Sequence, residues 1–211
     1  MLTISMPIEG ARCLIVGGGK VAERRARRFL AEGAAVTILS PEITPALRQL
    51  EAAGQLMWIA QKYDKQYVAG YRFIVVATPD AAINDEASAD GRAAGALINR
   101  SDKADESDFI IANTARLGDL EFAFVTGGLS PRVSRLIRED LEARYGELGP
   151  WLHLMKGWRQ ELKCRLPLAS DREAFWRAHL GQQELAAILA GRGHEIKEII
   201  EHAISCIRAK S

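Results

Sequence analysis

Residues 14–41, "LIVGGGKVAERRARRFLAEGAAVTILSP", decide the fold. An apolar run ending at Val16 meets three glycines, a stretch with apolar residues at helical spacing follows, and Gly33 separates it from a second β-branched run ending at Leu39. Strand, glycine turn, helix and strand in that order form the repeating unit of parallel sheets. Gly17-Gly18-Gly19-Lys20-Val21-Ala22 fits G-x-G-x-x-A, a turn that places a pyrophosphate on the first amides of a helix. The first glycine permits the tight turn, Gly19 lets phosphate approach the backbone, and Ala22 lets the helix lie close to the sheet. Alone, the hexapeptide also suits a tight turn that binds nothing. Its place between a buried strand and a helix favours dinucleotide binding, with Gly17, Gly18, Gly19, Lys20 and Val21 as contacts.

The second strand ends without the aspartate or glutamate that usually grips the ribose, since Leu39-Ser40-Pro41 stands there. Ser40 can hydrogen-bond a ribose hydroxyl, Glu42 can do the acid's work, and no arginine follows at once to attract a 2′-phosphate. Ser40, Pro41 and Glu42 are therefore the expected ribose contacts, and NAD is favoured over NADP. Arginines 24, 25, 27 and 28 read mostly as a solvated face paired with acids, with Arg24 or Arg25 able to face an acidic ligand.

Outward from this unit, strands are expected at Arg12–Val16, Ala35–Leu39, Leu56–Ala60, Phe73–Ala77 and Ala96–Asn99. Helical spacing runs through Val21–Glu32, Thr44–Ala53 and Ala81–Ala94. Near-continuous apolar strands are those buried on both faces, so the first part is an α/β, Rossmann-like parallel sheet. After Asn99 the pattern changes. A polar connection, "SDKADESD", leads to strand-like runs at Asp108–Ala112 and Glu121–Val125, then to a helix from Ser130 to Tyr145 with Ser130 as N-cap and Pro131 at its first position. "GELGP" at 146–150 breaks the chain, and only helices follow, at 151–164, 171–179, 182–190 and 193–208, with Trp151, Trp158, Phe175 and Trp176 available for a small core. This gives an NAD-binding Rossmann domain at 1–113, a small region at 114–147, and a helical C-terminal domain at 148–211.

Composition narrows the function. The 211 residues are 48% hydrophobic, enough for a full core, and 28 basic against 27 acidic side chains argue against a general nucleic-acid binder. No apolar run approaches the ~20 residues of a membrane span, and the first residues lack the form of a secretory signal. Cys13, Cys164 and Cys206 form no C-x-x-C pair, which fits a reducing cytoplasm and core packing. His153, His179, His194 and His202 lack metal-ligand spacing, and no metal site is expected.

"CLIVGGGKVAERRARRFLAEGAAVTILSP" (13–41), "IVVATPDAAIN" (74–84), "NRSD" (99–102) and "VTGGLSPRVSRLIREDLE" (125–142) follow one another at spacings that resemble the precorrin-2 dehydrogenase module of the siroheme synthase family. The resemblance covers about residues 7–180. It implies NAD-dependent oxidation of precorrin-2 to sirohydrochlorin, with Fe(II) insertion to give siroheme as a second activity of some members. It also implies a central dimerisation region, placed at 114–147, and an intertwined homodimer. Ending at Ser211, the chain is expected to be a stand-alone module without the methyltransferase domain of some relatives. Two departures stand out. Arg100 and Ser101 occupy positions that are usually small and apolar, and Pro79 stands where an Asp is frequent, with Asp80 next.

Removing hydrogen from precorrin-2 sends a hydride to the nicotinamide and a proton to a base. Asp102 follows the fifth strand, at the carboxyl edge where α/β sheets gather ligands. By position alone a helix cap or a solvated loop acid among Asp102, Asp105, Glu106 and Asp108 is the better reading; the resemblance selects Asp102 as the base. Thr78 and Asn99 end neighbouring strands and are expected to border the nicotinamide and the substrate. Gly127, Gly128 and Ser130 open the long helix, whose start suits a tetrapyrrole carboxylate, a role compatible with Ser130 as a plain N-cap. A reading of another class is an NAD(H)-binding redox-sensing regulatory module. Against it stand the balanced charge and the lack of a DNA-reading helix pair.

Overall fold

The computed structural model describes residues 2–127 and 130–207. The chain forms two compact units, one reaching to Ile111 and one starting at Ala112. In the first, β1 (Arg12–Val16), α1 (Lys20–Ala31), β2 (Ala35–Leu39), α2 (Pro45–Ala52), β3 (Met57–Ile59), β4 (Phe73–Val76), α3 (Ala81–Ala93) and β5 (Leu97–Arg100) follow one another. Their strands make one parallel sheet in the order β3-β2-β1-β4-β5.

Alternating side chains supply two cores. Cys13, Ile15, Val36, Ile38, Phe73 and Val75 face one way and bury Ala22, Ala26 and Phe29 of α1 with Leu47 of α2. Leu14, Val16, Leu39, Ile74, Val76 and Ile98 face the other way and bury Ala87 of α3 with Val68 and Tyr71. Each large side chain so buried contributes about 1.5–3 kcal/mol, which is why these strands have no polar face. The strand order reverses direction between β1 and β4. Val16 lies level with Val76, and Val76 with Arg100, so the carboxyl ends of β1, β4 and β5 form one edge at that switch point.

The second unit opens with the antiparallel hairpin β6 (Asn113–Leu117) and β7 (Leu120–Phe124), joined at Gly118 and Asp119. Helices α4 (Pro131–Tyr145), α5 (Leu148–Arg165), α6 (Ala169–His179), α7 (Gln182–Ala187) and α8 (Gly193–Cys206) follow, the last two linked by a wide turn over Ile188–Arg192. Trp151, Trp158, Leu162, Phe175, Ile188, Ile196, Ile200 and Ile204 form its core. Gly128 lies outside the described residues.

Two expectations need correction. Asp108–Ala112 is not a strand; strand pairing begins at Asn113. Its alternating apolar residues serve packing instead, because Phe109 and Ile111 dip into the α1-side core, with Phe109 set edge-on to Phe73 at 5.5 Å. The break at "GELGP" is also shorter than its composition suggests. Tyr145 and Leu148 are only three positions apart, and Pro150 sits in the first turn of α5, where a missing amide breaks no helical hydrogen bond. Among the described residues, no helix is long and apolar enough to cross a membrane, and no cluster of three or more His, Cys, Asp or Glu side chains is placed to hold a metal.

Candidate active site

The glycine turn lies across the switch point. Gly17 has φ +116°, open to glycine alone without strain, and a Cβ there would stand 2.5 Å from the Ala77 carbonyl oxygen. Its amide donates to Leu39 O at 3.0 Å. Gly18 is required for a reason its sequence position does not reveal. A Cβ would overlap the Glu42 carbonyl oxygen and meet Ser40 Oγ at 2.8 Å, because the loop after β2 closes over the turn, with Thr44 N donating to Gly18 O at 3.0 Å. Gly19 is the opposite case, with no atom within 4 Å of a Cβ. It caps α1 without a side-chain hydrogen bond to the helix's first amides. Their partial positive charge therefore faces an open cradle.

Around this cradle, Lys20 is 83% exposed and pairs with Glu23 at 3.4 Å. Glu23 also accepts from the Thr44 hydroxyl at 2.8 Å, and that bond, ahead of Lys20 and Arg27, holds its carboxyl below the usual range. Val21 is half-buried. Ser40 is fixed by its carbonyl, which accepts from Trp58 Nε1 at 2.9 Å, while Pro41 and Glu42 are exposed beside it. The structure thus brings Gly17–Val21 and Ser40–Glu42 together. An uncapped helix start, a space that only a missing Cβ leaves open, and acceptors at the end of β2 fit a dinucleotide. Of the four arginines, Arg25 has its Nε buried without a partner, and burial lowers its pKa.

A second constellation forms where β4 and β5 end. Asn84 of α3, 2% exposed, is its centre, and its local sequence does not mark it as a site residue. Its Oδ1 lies 2.6 Å from the Thr78 hydroxyl and accepts from Thr78 N at 3.3 Å, while its Nδ2 donates to Thr78 O and Asp102 Oδ2, each at 3.1 Å. Asp80 caps α3 by accepting from the amides of Ala82 and Ile83. Side chains along β5 alternate faces. Asn99 is 3% exposed and donates to Phe109 O at 2.9 Å, leaving its Oδ1 buried without a partner. Arg100 points to the α3 side.

Arg100, in sequence a charge where the family pattern is small and apolar, organises this end of the sheet. Its side chain is 1% exposed. Nε donates to Asp102 Oδ1 at 3.2 Å and Nη2 to Asp102 Oδ2 at 2.7 Å, while Nη1 bonds Asp85 Oδ1 and reaches Glu106 Oε2 at 2.7 Å. Lys103 adds contacts to Asp85 at 3.3 Å and Glu106 at 3.1 Å. Hydrogen bonds from Arg100 outweigh partial burial and, with Asn84, hold the Asp102 carboxyl far below the ordinary carboxylate range. The neighbouring acids are placed differently: Asp108 meets Arg92 and the Ile98 amide, and Asp105 is an exposed residue of a short turn.

In the second unit Gly127 has φ +63°, and Ser130 Oγ accepts from Val133 N at 3.2 Å as a helix cap.

A glycine turn across the switch point of a parallel sheet, leading into an uncapped helix, defines a dinucleotide-binding α/β protein. Residues 4–113 match the family described as putative NAD(P)-binding, and residues 147–204 match the sirohaem synthase dimerisation region. The siroheme synthase of Edwardsiella ictaluri (strain 93-146) is 35% identical over 179 residues, covering 84% of this chain and 39% of that protein. That of Chromobacterium violaceum is 35% identical over 192 residues, covering 89% and 40%. Among solved structures, "SirC, precorrin-2 dehydrogenase" superposes with a TM-score of 0.76 at 26% identity, over 96% of this chain and 100% of that one. The chain belongs to the family described as putative NAD(P)-binding. It spans about two fifths of the length of the curated relatives it matches.

Proposed function

We propose that this protein oxidises precorrin-2 to sirohydrochlorin with NAD. The observation that carries the reading is the meeting, on one sheet edge, of an open dinucleotide cradle at Gly17–Val21 and an oriented carboxylate at Asp102. Siroheme synthase relatives and a full-length likeness to a structure titled precorrin-2 dehydrogenase support the substrate. When bound, NAD supplies the hydride acceptor. The chain's own residues do the rest. The amides that follow Gly19 hold the pyrophosphate, and Ser40 with Glu42 takes the ribose and favours NAD over NADP. Thr78 and Asn99, the latter with an unpartnered Oδ1, border the nicotinamide and substrate. Asp102 takes the proton that leaves as the hydride departs, so that the substrate loses two electrons and two hydrogens in all. Gly127, Gly128 and Ser130 receive a substrate carboxylate.

The same reading includes a homodimer, with residues 114–147 as its expected seam beside the 147–204 segment that matches the sirohaem synthase dimerisation region. Val133, Leu136 and Ile137 of α4 leave 45%, 47% and 37% of their surfaces exposed, apolar area that a second copy would cover. It also includes Fe(II) insertion into sirohydrochlorin as a second activity, and a cytoplasmic location in keeping with three free thiols. Anaerobic incubation of precorrin-2 with NAD tests the main claim: NADH and sirohydrochlorin should form in equal amounts. No NADH above the enzyme-free control would contradict it. The same assay with sirohydrochlorin and Fe(II) tests metal insertion, and sedimentation tests the dimer.

A further inference from the structure

We propose that Arg100 is a positioning residue, which fixes the Asp102 carboxylate in orientation and charge for the oxidation proposed above. The inference rests on that reading of Asp102. Its basis is geometric. A guanidinium can present two parallel donors to one carboxylate, and Arg100 does so through Nε and Nη2, at 3.2 and 2.7 Å. Its remaining nitrogen is held by Asp85 of α3 and Glu106 of the following turn, so the fork cannot swing away. A side chain 1% exposed with three carboxylates converging on it is locked from every side.

The grip also distinguishes the two oxygens of Asp102. Oδ2 accepts from both Arg100 Nη2 and Asn84 Nδ2, whereas Oδ1 accepts from Arg100 Nε alone among the described side chains. Oδ1 thus has one fewer side-chain donor than Oδ2, and the carboxylate takes the proton released by the substrate and passes it to solvent. The charged groups around this carboxylate are Arg100 on β5, Asp85 on α3, and Lys103 and Glu106 in the turn after β5. With Arg100 in place, Asp102 stays ionised through mild acid. Without it, Asp102 loses its two guanidinium donors while Asp85 and Glu106 keep only the exposed Lys103 as a partner, so the Asp102 carboxyl moves up. The arrangement gives up basicity, since a base works best with a pKa near the working pH. In exchange, the group stays charged and aimed through mild acid.

The test is the pH dependence of kcat, read beside the 13C carboxyl resonance of Asp102 assigned by its loss in Asp102→Asn. In the wild type neither should titrate above pH ~4. In Arg100→Met both should titrate at or above the ordinary carboxylate range, with KM for NAD unchanged. Arg100→Lys keeps the buried charge but not the fork; it guards against a misfolded Met variant and should show a smaller shift of the same sign. A dead Asp102→Asn beside an Arg100→Lys with wild-type profiles would overturn this inference alone. An Asp102→Asn that turns over at the wild-type rate would overturn the reading beneath it.

Discussion

The two halves of the candidate site sit on one sheet edge but are made of different material. The glycine turn is backbone: its anion-binding capacity lies in amides, and its side chains are absent so that other groups can come close. The end of β5 is nearly all side chain, with Asn84, Asp85, Arg100, Asp102, Lys103 and Glu106 joined across three elements. A site made of amides depends on what does not fill it. A site made of ions depends on every charge having its partner, because an uncompensated buried charge is costly.

That contrast yields graded predictions. Gly19→Asp fills the open cradle and sets a negative charge against a pyrophosphate, so NAD affinity should fall about 100-fold, or ~2.7 kcal/mol, with the fold retained. Calorimetry showing unchanged affinity in a folded variant would break the account of the turn. Gly18→Ala should act on stability instead. Its Cβ collides with the Glu42 backbone rather than a movable side chain, so unfolding in urea should show a loss of about 1–3 kcal/mol, while Gly19→Ala, with open space, costs less. Equal losses would erase the distinction between the two glycines.

Acid should find the other half first. The Asp102 carboxyl is held below its ordinary value in the folded protein, so its contribution to stability is complete above the unfolded value near ~4 and drains away as pH falls below it. Asp85, lowered first by Arg100 and then by Lys103, acts with the same sign. Unfolding free energies from urea titrations should fall further between pH 6 and 3 in the wild type than in Asp102→Asn, by at most about 1 kcal/mol. Parallel curves would show that the ion cluster stabilises nothing. The smallest effects belong to the rim. Lys20→Ala breaks only an exposed pair and should change stability by less than about 0.5 kcal/mol, and Asp105→Asn should leave turnover within about two-fold of wild type.

The same contrast governs what the sequence discloses. Strands β1 and β2 are legible to the residue because their apolar runs are local and bounded by glycines. The open cradle at Gly19 follows from the motif. That Gly18 is required does not, since its constraint is a carbonyl 24 positions further on. Arg100 is visible as a charge at the end of an apolar strand, but what it binds depends on α3 coming back over β5, and no local pattern reports that. Asn84 is hidden for the same reason, as an amide inside a helix of otherwise ordinary composition. Asp108–Ala112 shows the converse failure: an alternating pattern read as a strand, whose apolar residues pack against α1 and β4 without pairing.

The central claim is that one half of the site holds NAD and the other moves the proton, and Asp102→Asn separates them most directly. The amide keeps the size and much of the hydrogen bonding but cannot accept a proton at neutral pH. NAD affinity by calorimetry should stay within about two-fold of wild type while anaerobic oxidation of precorrin-2 falls by about 10²–10⁴-fold. Near-normal turnover, or loss of NAD binding together with turnover, would contradict the account.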